Sequence, residues 1–124
     1  MIVVKLFRKV KKMAVIEISD SQYESTVLKE RICVLEFYAP CCKPCVEIKD
    51  NYQKCSEVFK DQLPFYAIDV SKHQETSTQE DITSWPTFQF YKNGRMYHSY
   101  RGAPVTLDLT SAIEEGLERY KTCG

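Results

Sequence analysis

The stretch FYAPCCKPCVEI, residues 37–48, places three of the chain's six cysteines within five positions. It also marks a change of period. Upstream, ICVLEFY (32–38) is apolar on both faces, as in a strand buried at the centre of an α/β sheet. Downstream, Ile48, Tyr52, Cys55 and Phe59 step by four, three and four residues, one stripe of a long helix that begins at about Cys42. The thiols therefore fall where a buried strand hands over to a helix.

The flanking segments extend the α/β pattern in both directions. AVIEI (14–18) reads as a short strand. SQYE (21–24) matches a capping box, with Ser21 as cap and Glu24 three residues on, and Tyr23, Val27 and Leu28 predict a helix over 20–30. PFYAIDV (64–70) reads as another strand, and the polar stretch 72–82 as a short helix. TFQFYKNGRMYHSYRG (87–102) predicts a hairpin, because Asn93-Gly94 supplies the positive φ angles of a tight turn. Leu109, Ala112, Ile113, Gly116, Leu117 and Tyr120 mark a closing amphipathic helix. The order predicts an α/β fold with a mixed sheet, parallel units first and an antiparallel hairpin last.

Length and composition narrow the function classes. A chain of 124 residues can bury one substantial core without disulfide staples. Lys plus Arg (17) balances Asp plus Glu (17), so no broad basic face for nucleic acid is expected. No apolar run approaches the roughly 20 residues of a transmembrane segment. The skewed region is residues 1–12, where Lys5, Arg8, Lys9, Lys11 and Lys12 occur without an acid. These charges interrupt and follow a short apolar stretch, which is not the layout of a secretory signal. An edge strand or arm, a targeting presequence and a basic surface anchor all fit. We divide the chain into a basic extension, 1–13, and a domain, 14–124.

Cys42-Lys43-Pro44-Cys45 is a C-x-x-C at the predicted start of a helix. A thiolate there faces unpaired N–H groups and the positive end of the helix dipole, which favours the charged nucleophile. Cys45, one turn on, can attack a mixed disulfide formed on Cys42 while being more shielded. Pro44 suits the first turn, where no N–H is needed. Glu36 interrupts the buried strand; a carboxylate there is costly unless paired or protonated, and a raised pKa would suit proton transfer near Cys45. The bland alternative is a solvated Glu36 at an edge. Trp85-Pro86-Thr87, ahead of the hairpin, suggests a rigid turn.

Together these residues resemble the thioredoxin superfamily from residue 14 to 121. The strand–CxxC–helix, IDV (68–70), WPTFQFYKNG (85–94) and YRGA (100–103) follow in the family's order. The resemblance implies a thioredoxin fold and a protein-disulfide reductase. Cys42 attacks, Cys45 resolves, and Glu36 stands at the family's buried acid. Pro86 is then the cis-proline facing the disulfide. Trp85, Cys41, Lys43 and Gly102 join it on the substrate surface. It implies disulfide-containing protein substrates, no bound cofactor, and electrons from an NADPH-dependent flavoprotein thioredoxin reductase. A monomer in the cytoplasm is expected, with an organelle or the endoplasmic reticulum as alternatives. EFYAP is similar to protein disulfide isomerase domains, so an isomerase or oxidase is the runner-up.

The chain departs from the family at three positions. Cys41 replaces the usual aromatic before the first active cysteine, Lys43 replaces the dipeptide's glycine, and Asp50 stands where a proline bends the helix. Cys41 is open to three readings: a bystander, a third redox thiol, or a substitute partner. Cys33 and Cys55 read as buried hydrophobes, Cys123 as a loose thiol near a frayed end, and His73 and His98 as surface residues. A zinc or iron–sulfur site lacks a second ligand pair at the right spacing. A non-catalytic peptide-binding module is the other rival, and an intact CxxC with Glu36 argues against it.

Overall fold

The computed structural model describes residues 14–102 and 109–123, so the basic extension lies outside the described residues. Strands β1 (Val15–Ile18), β2 (Ile32–Tyr38), β3 (Phe65–Asp69), β4 (Thr87–Lys92) and β5 (Arg95–Arg101) form one sheet in the order β1-β3-β2-β4-β5. β1, β3 and β2 run parallel, whereas β2–β4 and β4–β5 are antiparallel. Helices α1 (Asp20–Thr26), α2 (Lys43–Val58), α3 (Gln74–Gln79) and α4 (Leu109–Thr122) cover both faces. This is the mixed α/β architecture that the sequence predicts.

Period-two alternation sorts the sheet into two cores. Ile32 and Val34 of β2 pack with Phe65, Phe88 and Phe90 against Ile48, Tyr52 and Phe59 of α2 and its C-terminal turn, and Leu109 and Ile113 of α4. Cys33, Leu35 and Phe37 face the other way, with Tyr66, Ile68 and Tyr91, toward Tyr23 and Val27. By this alternation Glu36 belongs to the α2 face, continuing the Ile32–Val34 row. On the α1 face, Tyr23 and Tyr91 share a hydroxyl–hydroxyl bond of 3.0 Å, and Tyr91 donates to Gln89 Oε1.

Several local expectations change. The α1 cap is Ser19, not Ser21: its N–H donates to Gln22 Oε1 at 2.9 Å, and the helix starts at Asp20. After Thr26 the chain tightens into a 3₁₀ turn, Val27–Lys29, rather than continuing as α-helix to residue 30. The hairpin turn stands, with Asn93 at φ 52° and Gly94 at φ 84°. His98 is half-buried rather than a surface residue; its ring stacks at 5.6 Å from Phe90. His73, also half-buried, precedes α3. At Cys123 the chain end is not frayed, since the backbone N–H donates to Arg119 O at 2.9 Å and the carbonyl accepts from Lys92 Nζ at 2.8 Å.

Helix α4 lies against β4 at Gly116, where a Cβ would come within 2.3 Å of the Phe90 ring. Alanine is the better helix former by about 1 kcal/mol, but overpacking a buried aromatic costs about 1–3 kcal/mol. Gly116→Ala is expected to lower the denaturant midpoint despite its higher helix propensity; an unchanged or raised midpoint would contradict this packing.

Candidate active site

Helix α2 begins directly after Cys42, which occupies the N-cap with extended backbone (φ −82°, ψ 116°). Its sulfur takes the place of a capping oxygen: the Cys45 N–H donates to Cys42 Sγ at 3.3 Å. Lys43 and Pro44 fill the first two helical positions, so the missing proline N–H leaves no helical bond unmade. Negative charge on Cys42 would meet the positive end of a 16-residue helix.

Cys42 and Cys45 differ in environment. Cys42 is partly exposed; Cys45 is buried at 4% exposure. Their sulfurs are 2.6 Å apart, with Cys45 donating, close to the about 2.05 Å of a disulfide. Burial, then the bond to Cys42, pushes the Cys45 thiol up to about 12. It therefore carries its proton at neutral pH and needs an acceptor before it can act as a nucleophile.

Glu36 is buried at 6% exposure, so the solvated-edge alternative does not hold. Burial, followed by repulsion from Glu17, raises its carboxyl to about 8, while Lys49 pulls the other way. Glu36 and Cys45 line the same cavity of about 550 Å³, together with Glu17, Tyr38, Lys49, Asp69 and Lys72. Of these neighbours the sequence signalled none, because they come from four separate segments.

The remaining sequence candidates gather at the mouth. The Trp85–Pro86 peptide is cis, and the Trp85 carbonyl accepts from Cys42 Sγ at 3.5 Å. Pro86 is buried, while Trp85 stays 44% exposed. Gly102, at φ 73°, donates its N–H to Pro86 O at 2.6 Å, which brings β5's end to the proline. Cys41 and Lys43 are exposed beside Cys42 in sequence. Away from the site, Cys33 donates to Val27 O at 3.7 Å and is pushed up to about 12 by burial, as an inert core thiol should be. Cys55 is likewise buried.

The thioredoxin family model matches residues 14–115, most of the chain. The chain belongs to the thioredoxin family. Thioredoxin 1 of Plasmodium falciparum is 32% identical over 108 residues, covering 87% of this chain and 98% of that protein. The thioredoxin of Gallus gallus is 36% identical over 86 residues, 69% of this chain and 81% of that one. Among solved structures, the Malassezia sympodialis thioredoxin superposes with a TM-score of 0.74 at 30% identity, over 83% of this chain and 90% of that chain. As a member of that family, the protein is a thiol–disulfide oxidoreductase that reduces protein disulfides. Among the described residues no helix is long and apolar enough to cross a membrane.

The Glu36 environment has a consequence for stability. The folded chain binds the Glu36 proton more tightly than the unfolded chain, whose value is near 4.5. That stabilisation is complete below about pH 4.5 and is lost as pH rises through about 8, a change on the order of 4 kcal/mol. Between about pH 5 and pH 9, the wild-type unfolding free energy should fall by roughly that much more than that of Glu36→Gln. Parallel pH profiles for the two proteins in denaturant titrations would rule out a buried, proton-holding Glu36.

Proposed function

We propose that Cys42 is the attacking thiolate, Cys45 the resolving thiol and Glu36 the proton acceptor. The observation that carries the assignment is the asymmetry of the pair. Cys42 is partly exposed and capped by a helix N–H, whereas Cys45 is buried, protonated and shares its cavity with a carboxyl whose pKa is raised to about 8. Cys42 sulfur attacks a substrate disulfide, and one substrate sulfur leaves as thiolate. Glu36 then takes the Cys45 proton. Cys45 sulfur attacks Cys42, the Cys42–substrate bond breaks, and the second substrate sulfur leaves with the electron pair. The products are a reduced substrate and a Cys42–Cys45 disulfide.

Trp85 and Pro86, against Cys42, offer the surface on which an extended substrate segment would lie, flanked by Cys41, Lys43 and Gly102. Turnover requires two electrons to reopen Cys42–Cys45; the family resemblance supports an NADPH-dependent flavoprotein reductase as their source. Exposed and unpaired thiols suit a reducing compartment such as the cytoplasm.

Cys42→Ser is expected to abolish reduction of a protein disulfide such as insulin's. Cys45→Ser should attack once and stall, leaving a mixed disulfide that peptide mapping finds on Cys42. An adduct found on Cys41 instead would overturn the assignment.

Lys43 bears on the choice between reductase and isomerase. Thioredoxin and protein disulfide isomerase potentials differ by about 90 mV, roughly 4 kcal/mol for two electrons, whereas one charge at a helix start contributes about 0.3–1 kcal/mol. Replacing Lys43 with Gly should therefore lower the potential by no more than about 20 mV in a glutathione titration. The wild-type protein should lie nearer about −270 mV than about −180 mV. A value at the upper figure would favour the isomerase reading.

A further inference from the structure

The register of the parallel strands lines up two carboxylates that are distant in sequence. Glu17 of β1 pairs with Ala67 of β3, and Ala67 pairs with Glu36 of β2. Paired residues on neighbouring strands project from the same face. The two acids therefore stand on one side of the sheet, one strand apart on either side of Ala67, with backbones separated by roughly 10 Å. Ala67 contributes only a methyl group, and the space left above it is part of the cavity that Glu17, Glu36 and Cys45 line together. A larger side chain at 67 would fill the gap between the carboxylates.

Glu17 is at the outer end of this cavity and is exposed, yet its carboxylate is held in place. Tyr38, one row beyond Glu36 on β2, reaches across β3 and donates its hydroxyl toward both Glu17 oxygens, at 2.8 and 2.9 Å. The remaining charged groups on the cavity are Lys49 from α2, Asp69 at the end of β3 and Lys72 beyond it. Lys49 opposes the negative charge of Glu17, and Asp69 adds to it. Asp69 is itself engaged with the Ser71 N–H at 2.9 Å and the Ser71 hydroxyl at 2.6 Å. Lys72 is exposed on the rim.

We infer that Glu17 is a positioning residue for the reaction: tied by Tyr38 across Ala67 from Glu36, its carboxylate governs the pH at which Glu36 takes the Cys45 proton. The inference rests on the reading of Glu36 as proton acceptor. Its physical basis is like-charge repulsion across a partly enclosed space. With Glu17 ionised, a second negative charge on Glu36 is disfavoured, and Glu36 keeps its proton to higher pH. No atom of Glu17 enters the bond-making steps. Glu17 acts only on the acid–base balance of Glu36, so its removal changes the pH dependence of resolution rather than the identity of the products.

The test is a carboxyl ¹³C NMR titration of the oxidised protein, with Glu36→Gln used to assign the Glu36 resonance. In Glu17→Gln, which keeps an acceptor for Tyr38 but loses the charge, the Glu36 midpoint should fall by about half a pH unit or more. Tyr38→Phe frees Glu17 to turn to solvent and should move the midpoint in the same direction by less. In single-turnover kinetics the rising limb of the resolution rate should move with the NMR midpoint, making Glu17→Gln about threefold faster or more at neutral pH. A Glu36 midpoint unchanged or raised in Glu17→Gln would overturn the inference. The parent reading is tested separately, since it fails if Glu36→Gln keeps the wild-type rate limb, whatever the carboxyl resonance of Glu36 does in Glu17→Gln.

Discussion

The candidate active site depends on one short contact, the Cys45 N–H donating to Cys42 Sγ where α2 starts. The contact requires β2 to end at Tyr38 and α2 to begin at Lys43, with only a tight turn between them. That placement leaves one sulfur at the mouth, against the Trp85 carbonyl, and carries the other a turn inward, onto the cavity that Glu36 lines. Two chemically identical side chains thus acquire different environments from position alone. Helix α2 can be held so closely because β2 is buried on both faces, between the α2–α4 layer and the α1 side.

The fold was legible wherever the signal was local. The shift from a two-sided apolar strand to the Ile48–Tyr52–Cys55–Phe59 stripe located the β2–α2 junction, and Asn93-Gly94 located the hairpin, because positive φ is a property of those residues themselves. The α1 cap was ambiguous for an equally local reason. Ser19-x-x-Gln22 and Ser21-x-x-Glu24 both satisfy the capping pattern, and burial of Tyr23 against Tyr91 accompanies the earlier start. The change to a 3₁₀ turn at Val27 left no mark in residue spacing.

The candidate site was legible in its thiols and its acid but not in its surroundings. Cys42, Cys45 and Glu36 announce themselves by type and place. Glu17, Tyr38 and Lys49 do not, since an acid on a short edge strand, a strand-end tyrosine and a helix lysine are ordinary surface residues in sequence. They become neighbours only through the β1–β3–β2 register. The anchoring of the Cys123 backbone had no local signal for a related reason: it comes from Lys92, 31 residues earlier in the chain.

The buried hydroxyls of Tyr23 and Tyr91, with Gln89, have a further consequence. Because Gln89 and Tyr91 point to the same face of β4, a slip of that strand by one residue would carry the amide into the apolar layer around Val34, Tyr52 and Phe65 on the opposite face of the sheet. A buried amide stripped of its partners costs about 1–3 kcal/mol, a large share of a small domain's total stability. The polar chain therefore acts as a proofreading device for strand alignment. It penalises the misregistered sheet more than it strengthens the correct one, and so favours the alignment that holds Pro86, at the head of the same strand, opposite the cysteines.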